Sequence, residues 1–284
     1  EMVGLIEGIW DDWASESISN SSHNIIEKNI KTARILSYLI MASYGLSTIF
    51  FESGPVAFYF SGGVNEREFL IPIISFSWNL KQSPIYEVLM IIQMIQSVAG
   101  IYISTIVEGQ LAFLVLHACS KVHIVKEEIL KISQCSPKNA SDSEEMHSII
   151  KTISQKHSNF LTFSSNLHDA YAIILLIHVI TLTLLIVTSG FGFLVATEKQ
   201  NLAGAVFYAT FVCSFLFSSG LYCYAGEQLT TQSETIATEI IRCPWYQLPI
   251  IHRKDINFIL MRANEPVIMT AGKFSRLSLA LLSS

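Results

Sequence analysis

The sequence predicts an all-α membrane protein, a polytopic helical bundle with a cytosolic N-terminus and helices extended into an intracellular anchor layer. Three observations carry that prediction: a shortage of charge, apolar runs long enough to cross a bilayer, and Lys and Arg crowded into alternate loops. Of 284 residues, 51% are hydrophobic and 14% charged, against about 25% charged in a soluble domain, and the mean hydropathy is +0.45. The net charge of -5 is spread along the chain, so no basic block points to nucleic acid.

A bilayer core of about 30 Å needs ~20 apolar residues of helix, because lipid offers no partners to backbone N–H and C=O groups. Four charge-free runs meet that need: Ile35 to Phe51, Val88 to Val107, Ala170 to Thr197 and Asn201 to Gly226. A fifth, from about Ile256, is broken by Arg262, Glu265, Pro266, Lys273 and Arg276. Its first half is too polar to lie bare in lipid, whereas the run from Leu277 is apolar enough to enter.

The elements follow in order. Residues 1–32 form a cytosolic loop and helix, 33–54 a span, and 55–83 an extracellular loop. Residues 84–133 form a second span with a cytosolic extension, since helical apolar spacing continues through Leu111, Leu114, Leu116, Ile124 and Leu130 among Lys and Glu. Residues 134–145 are a polar loop, with Ser141 and Glu144 at capping-box spacing ahead of a helix from about Ser143. Residues 146–197 are a cytosolic helix and span, 201–226 the next span, 227–254 an anchor segment, and 255–284 the start of a further span.

Orientation follows from the loops, because cationic residues near span ends stay in the cytosol. With the N-terminus inside, inward segments hold Lys28, Lys31, Arg34, Lys121, Lys126, Lys131, Lys138, Lys151, Lys156, Arg242, Arg253 and Lys254, against Arg67, Lys81 and Lys199 outside. The sequons at Asn20 and Asn139 then face the cytosol and stay unglycosylated. Cys119, Cys135, Cys213, Cys223 and Cys243 show no CxxC pair and are read as free thiols. The chain opens on Glu1 with no secretory signal and stops at Ser284 inside an apolar stretch, so a fragment of a longer protein is expected.

Enzymatic signatures are absent: there is no GxSxG, P-loop or HExxH, and the eight histidines show no metal-ligand spacing to Cys, Asp or Glu. No catalytic residue, metal or cofactor is expected. His178 stands alone in the third span, where a packed histidine is preferred over a proton relay. Glu108 ends the second apolar run and is read as marking the membrane interface. Aromatic, small and thioether residues gather in the outer halves of the spans: Tyr44, Gly45 and Thr48, then Met90, Gln93 and Met94, then Phe207, Tyr208 and Phe211. Ordinary helix packing accounts for such residues, and so does a pocket for a small apolar ligand.

The last third reads Tyr222-Cys223-Tyr224-Ala225-Gly226-Glu227, then Ser233, Trp245-Tyr246-Gln247-Leu248-Pro249, Arg262, Pro266 and Thr270-Ala271-Gly272-Lys273-Phe274. This resembles the C-terminal signature of insect odorant receptors. Asp12-Trp13, Ala33-Arg34, Pro72 and Trp78 agree, so the resemblance covers essentially the whole chain. It implies a seven-span receptor of which the third to sixth spans and the cytosolic half of the seventh are present. The first two spans and the pore-lining end are missing from that pattern, and the fragment alone is not expected to conduct.

By resemblance, the complete protein is a subunit of a ligand-gated, non-selective cation channel in the plasma membrane of an olfactory neuron dendrite. It assembles with an odorant co-receptor as a hetero-tetramer and binds small volatile molecules between the outer halves of the spans. The ligand-binding residues so implied are Tyr44, Gly45, Thr48, Gln93, Met94, Phe207 and Phe211; the subunit-interface residues are Tyr224, Gly226, Glu227, Trp245, Tyr246 and Pro249. The short loop near 134–145 lacks the co-receptor's long insertion, which implies a ligand-tuning subunit. A gustatory-type receptor channel and a G-protein-coupled chemoreceptor are the alternatives, the latter lacking DRY-like and NPxxY-like motifs here. A transporter would need inverted repeats, and none is found.

Overall fold

The computed structural model describes residues 4–6, 8–10, 20–61, 69, 80–134, 140–272 and 275–277. Four long helices dominate: α1 (Asn20–Ser61), α2 (Ile85–Gln134), α3 (Ala140–Glu198) and α4 (Leu202–Arg242). A 3₁₀ turn (Trp245–Gln247), a short helix α5 (Ile250–Ala263) and a hairpin of β1 (Thr270–Ala271) with β2 (Ser275–Arg276) follow. All four long helices are apolar enough to cross a membrane.

Each is also longer than a membrane requires. The 50 residues of α2 make ~75 Å of helix at ~1.5 Å per residue, more than twice the ~30 Å hydrocarbon core. Only 6–17% of the apolar window on each helix is buried inside the protein. Ile91, Ile95, Ile103 and Ile177 are among the side chains left exposed, as lipid-facing positions must be.

The chain divides into two compact units, one of residues 1–34, 111–179 and 220–284 and the other of 35–110 and 180–219. The first is packed like a water-soluble domain. Buried positions step by three or four along α2 (Leu111, Leu114, Ala118, Val122, Val125, Ile129) and along α3 (Ile150, Ile153, Phe160, Leu167). They join Leu229 and Ile236 of α4 and Ile256 of α5 in one apolar cluster. Truncating a fully buried Leu such as Leu229 in a core of this kind costs about 2–5 kcal/mol.

Polar contacts tie the same unit together. Ser22 of α1 donates to Glu127 of α2, and Asn29 donates to the Leu116 carbonyl at 3.2 Å and to Ser120 at 2.8 Å. Lys156 of α3 reaches Glu128 of α2 at 2.8 Å, with Lys131 on the same carboxylate at 2.8 Å. Burial acts to raise the Glu128 pKa, but the two ammonium groups outweigh it and hold the carboxyl below its ordinary range. The His157 pKa is also lowered from that of a free imidazole, by burial and then by Arg262.

The second unit begins where the spans are most apolar. Its tight turn between α3 and α4 is a Schellman motif: Gln200 N–H bonds the Thr197 carbonyl at 3.1 Å and Asn201 N–H the Ala196 carbonyl at 2.9 Å. Gln200 takes the left-handed conformation, φ 53°, where glycine is usual. Asn201 then caps α4, its side-chain oxygen accepting from Gly204 N–H at 3.0 Å.

Several boundaries differ from those predicted. The first helix runs on past Gly54 and Pro55 to Ser61, and α3 opens at Ala140, which puts Ser141 inside the first turn instead of ahead of it. Residues 135–139, with Cys135 and Asn139, lie outside the described residues, as do Asp12, Trp13, Pro72 and Trp78. The fourth helix continues through the segment 227–242 without a break. It stops where Pro244 disfavours the helical conformation at Cys243. Pro249 then opens α5.

From residue 255 onward the described chain is not one continuing helix. It ends at Ala263, with Pro266 unable to supply the next N–H, and turns into the β1–β2 hairpin. Thr270 pairs with Arg276 and Ala271 with Ser275. Gly272 has φ +62° and its N–H donates to the Ala172 carbonyl of α3 at 2.8 Å. A Cβ there would meet Leu176 at 3.1 Å. Leu277 bonds back to the Met269 carbonyl, and the apolar stretch beyond it is outside the described residues.

Candidate functional site

All seven residues assigned to ligand binding fall in the second unit. Its α1 segment runs antiparallel to those of α2 and α4: Tyr44 and Glu52 meet Glu108 and Ser97 of α2, and Phe51 and Tyr44 meet Phe207 and Phe215 of α4. Along α4, Phe207, Phe211 and Phe215 recur every four residues and so share one helix face. Phe211 meets Phe207 at 5.6 Å between centroids and Phe215 edge-on at 4.7 Å. The facing side chains of α1 extend the row: Phe51 stacks on Phe207 at 5.4 Å, and Tyr44 lies 6.3 Å from Phe215. Tyr208 flanks Phe207 at 5.0 Å.

The row ends in a polar pair. The Tyr44 hydroxyl donates to Glu108 Oε1 at 2.6 Å, with Ser218 beside both. Glu108 is only 7% exposed and its other oxygen has no hydrogen-bond partner. The sequence placed this carboxylate at the membrane interface; in the structure it is turned inward against Tyr44. Below the rings, the hydroxyls of Ser47 and Ser214 share a 2.7 Å hydrogen bond, and Ser214 Oγ lies 3.2 Å from the Ser43 carbonyl. Ser97 of α2 donates to Glu52 of α1.

Tyr44, Phe207 and Phe211 are therefore brought together. Gly45 and Thr48 are half-buried on the same stretch of α1, and open space surrounds Gly45 where a Cβ would be. Gln93 is buried and Met94 half-buried on α2, outside the row of rings, and Met90 is buried. Four participants were not foreseen: Phe51, Phe215, Glu108 and the Ser47–Ser214 pair. The i, i+4 spacing of 207, 211 and 215 was the available signal for Phe215. No local pattern links Glu108 to Tyr44, 64 residues away.

The six interface residues separate into two kinds. Tyr224, Tyr246 and Pro249 are exposed, and near the latter two, Ile250, Ile251, Phe258 and Met261 are exposed as well. Trp245 packs against the core of its own unit. Gly226 is buried, a Cβ on it lying 2.8 Å from the Leu277 side chain and 3.0 Å from the Leu277 carbonyl. Glu227 is half-buried.

His178 packs on Tyr222 with ring centroids 4.4 Å apart. Cys119, Cys213, Cys223 and Cys243 are free thiols. His252 and Asp255 stand three residues apart on α5, and the fold brings His147 of α3 to them, with one ligand atom from each within 4.8 Å of the others. The third member comes from 105 positions away in the sequence, so no local spacing announced the group.

Comparison with known proteins fits this architecture. The family described as 7tm odorant receptor matches residues 4–284. The chain belongs to that family. It is 27% identical over 197 residues to Odorant receptor 13a of Drosophila melanogaster, covering 64% of this chain and 47% of that protein. Odorant receptor 82a of the same fly is 21% identical, covering 86% of this chain and 62% of that one. The odorant receptor coreceptor of Harpegnathos saltator is 23% identical over 52% of this chain and 31% of its own length. Among solved structures, the olfactory receptor OR5 of Machilis hrabei in complex with eugenol superimposes with a TM-score of 0.72 at 11% identity, over 92% of this chain and 65% of that one. This odorant-receptor chain thus spans about half to two-thirds the length of these fly relatives.

Proposed function

We propose that the chain is the ligand-tuning part of an odorant receptor, a subunit of a ligand-gated, non-selective cation channel that assembles with an odorant co-receptor in a hetero-tetramer. The observation that carries this reading is the row of rings from Phe51 to Tyr44, closed by the Tyr44–Glu108 hydrogen bond. An apolar wall with one fixed polar group is what recognition of a small volatile molecule requires: area for affinity, a donor or acceptor for orientation. Tyr44, Gly45, Thr48, Phe207 and Phe211 contact the ligand in this reading, and Gln93 and Met94 contribute from α2. A ligand that favours the open arrangement shifts the channel by its difference in affinity for the two states.

The crowding of Lys and Arg into the segments 28–34, 121–156 and 242–254, at one end of the apolar runs, supports a cytosolic N-terminus in the plasma membrane. Exposed Tyr246, Ile250, Ile251 and Phe258 then offer an apolar surface on the cytosolic side for the co-receptor. Gly226 and Trp245, which pack within their own unit, would support that surface from behind.

The test is current. The complete coding sequence containing this chain is co-expressed with a co-receptor, and a broad panel of volatiles, eugenol included, is applied under voltage clamp. A ligand-evoked cation current that requires the co-receptor is the expected result. A surface-expressed complex silent to the whole panel would overturn the proposal.

A further inference from the structure

The group formed by His147, His252 and Asp255 lies in the first compact unit. Its geometry is set by two helices. Ser143 and His147 stand four residues apart on α3 and share a face; His252 and Asp255 stand three apart on α5 and share another. The faces meet: the rings of His147 and His252 lie 6.3 Å apart between centroids, and the Ser143 hydroxyl is 3.3 Å from His252 Nε2.

His252 is the telling member, being 4% exposed while its Nδ1 has no hydrogen-bond partner. A buried ring nitrogen without a partner is destabilising, so its place in the fold asks for a reason. The Ser143 contact supplies half of it: in the tautomer whose Nε2–H donates to the hydroxyl, Nδ1 carries the lone pair. This is the arrangement in which metal-binding histidines occur, one nitrogen oriented by a hydrogen bond and the other left for the ion.

We propose that His147, His252 and Asp255 form a three-ligand site for a divalent transition metal of the Zn²⁺ class. Two imidazoles and a carboxylate suit that class, and water completes a tetrahedral set. Ligand atoms in such a set lie ~3.3 Å apart, given bonds of about 2.0–2.1 Å. Here they already fall within 4.8 Å of one another, a gap that rotation of the exposed His147 side chain closes. Lys151, one turn beyond His147, and Arg253 and Lys254, beside His252, oppose a dication in sequence, while Asp255 and Glu144 offset them. The bound ion would fasten α5 to the first turns of α3.

The test uses the complete receptor, purified in detergent with a tag free of histidine. Co²⁺ is the probe, because a four- or five-coordinate site absorbs visibly where the aqua ion is pale. The expected result is one equivalent of absorbing Co²⁺, displaced by Zn²⁺, with affinity reduced at least ~10-fold in both His147→Ala and Asp255→Asn. His147 is exposed, so that variant should keep its elution profile and helix content. Absence of the band in the parent, or a band undiminished in both variants, overturns the proposal. Neither outcome depends on odorant response or channel current, so the site can fail while the receptor assignment stands.

Discussion

Tyr44→Phe removes one oxygen and keeps the ring that faces Phe215, which makes it a clean probe of the polar end of the site. The lost interaction is a 2.6 Å hydrogen bond to a carboxylate that is 7% exposed. A hydrogen bond to a charged group contributes about 1.5–3 kcal/mol. Glu108 has no second partner to fall back on, since its other oxygen is already without one. The expected destabilisation is therefore ~2 kcal/mol, or ~4–8 °C in melting temperature at ~2–4 °C per kcal/mol for a chain of this size. The assay is thermal unfolding of the purified receptor followed by tryptophan fluorescence, run as a cycle with Glu108→Ala and the double variant. Coupling predicts that Tyr44→Phe in the Glu108→Ala background has less than half its effect in the parent. Additive effects, or a melting temperature unchanged in Tyr44→Phe, would show that the pair does not hold α1 to α2.

Phe211→Ala interrupts the row between Phe207 and Phe215 and should shift the rank order of volatiles by ~10-fold or more in half-maximal concentration, at about 1.4 kcal/mol per decade, with co-receptor pull-down unchanged. Gly226→Ala drives a Cβ to within 3.0 Å of the Leu277 backbone carbonyl and should destabilise the chain by about 1–3 kcal/mol, measurable by melting with no co-receptor present. Glu128, held ionised by Lys131 and Lys156, contributes stability that is present above about pH 4.5 and lost as pH falls through its lower folded pKa; Lys156→Gln should shrink that acid-sensitive contribution in melting curves from pH 7 to pH 3. Gln200→Gly relieves a left-handed side chain and should raise stability by ~1 kcal/mol.

The spans were legible because lipid leaves helix as the only way to satisfy backbone groups, so charge-free length reports directly on structure. The extension of α2 was legible because Leu111, Leu114 and Ile124 keep helical spacing among polar neighbours, and that of α3 because a polar loop and capping-box spacing precede it. Helix ends were read less well. The structure carries α1 through Gly54 and Pro55 and starts α3 at Ala140, ends that intrinsic propensity, a weak prior, does not fix. Of the candidate site, Tyr44, Phe207 and Phe211 could be named from the sequence as aromatic residues in the outer halves of the spans, and as ligand-binding only by resemblance. Their joining by Phe51 and Phe215 depends on how α1 and α4 are paired, which no local pattern encodes. The Tyr44–Glu108 bond and the His147–His252–Asp255 group depend on helices far apart in the chain, and a resemblance to a family carries neither.

The two units are held by different forces, and that difference bears on how a receptor of this kind could change state. Around Leu114, Ile153, Phe160 and Leu229, burial from water supplies the stabilisation, and rearrangement would expose a continuous apolar cluster. Along the spans that force is missing, since lipid tails are as apolar as leucine; adhesion falls to close packing and to a few hydrogen bonds. The structure shows both devices in the second unit. Gly109 lets Ser37 approach so closely that a Cβ would lie 2.6 Å from its hydroxyl, and Gly192 receives the Tyr208 ring in the same way. Ser47–Ser214, Ser97–Glu52 and Tyr44–Glu108 supply the polar contacts. An intramembrane hydrogen bond between neutral groups, such as Ser47–Ser214, contributes on average about 0.6 kcal/mol and one to a buried carboxylate, such as Tyr44–Glu108, about 2 kcal/mol, whereas moving a two-state equilibrium from 1:99 to 99:1 takes about 5.5 kcal/mol of differential binding. A small volatile molecule can supply that only if few contacts must be broken. On the proposed reading, a seam of such hydrogen bonds beside a row of rings meets that condition, whereas a ligand of that size could not repack the apolar cluster of the first unit.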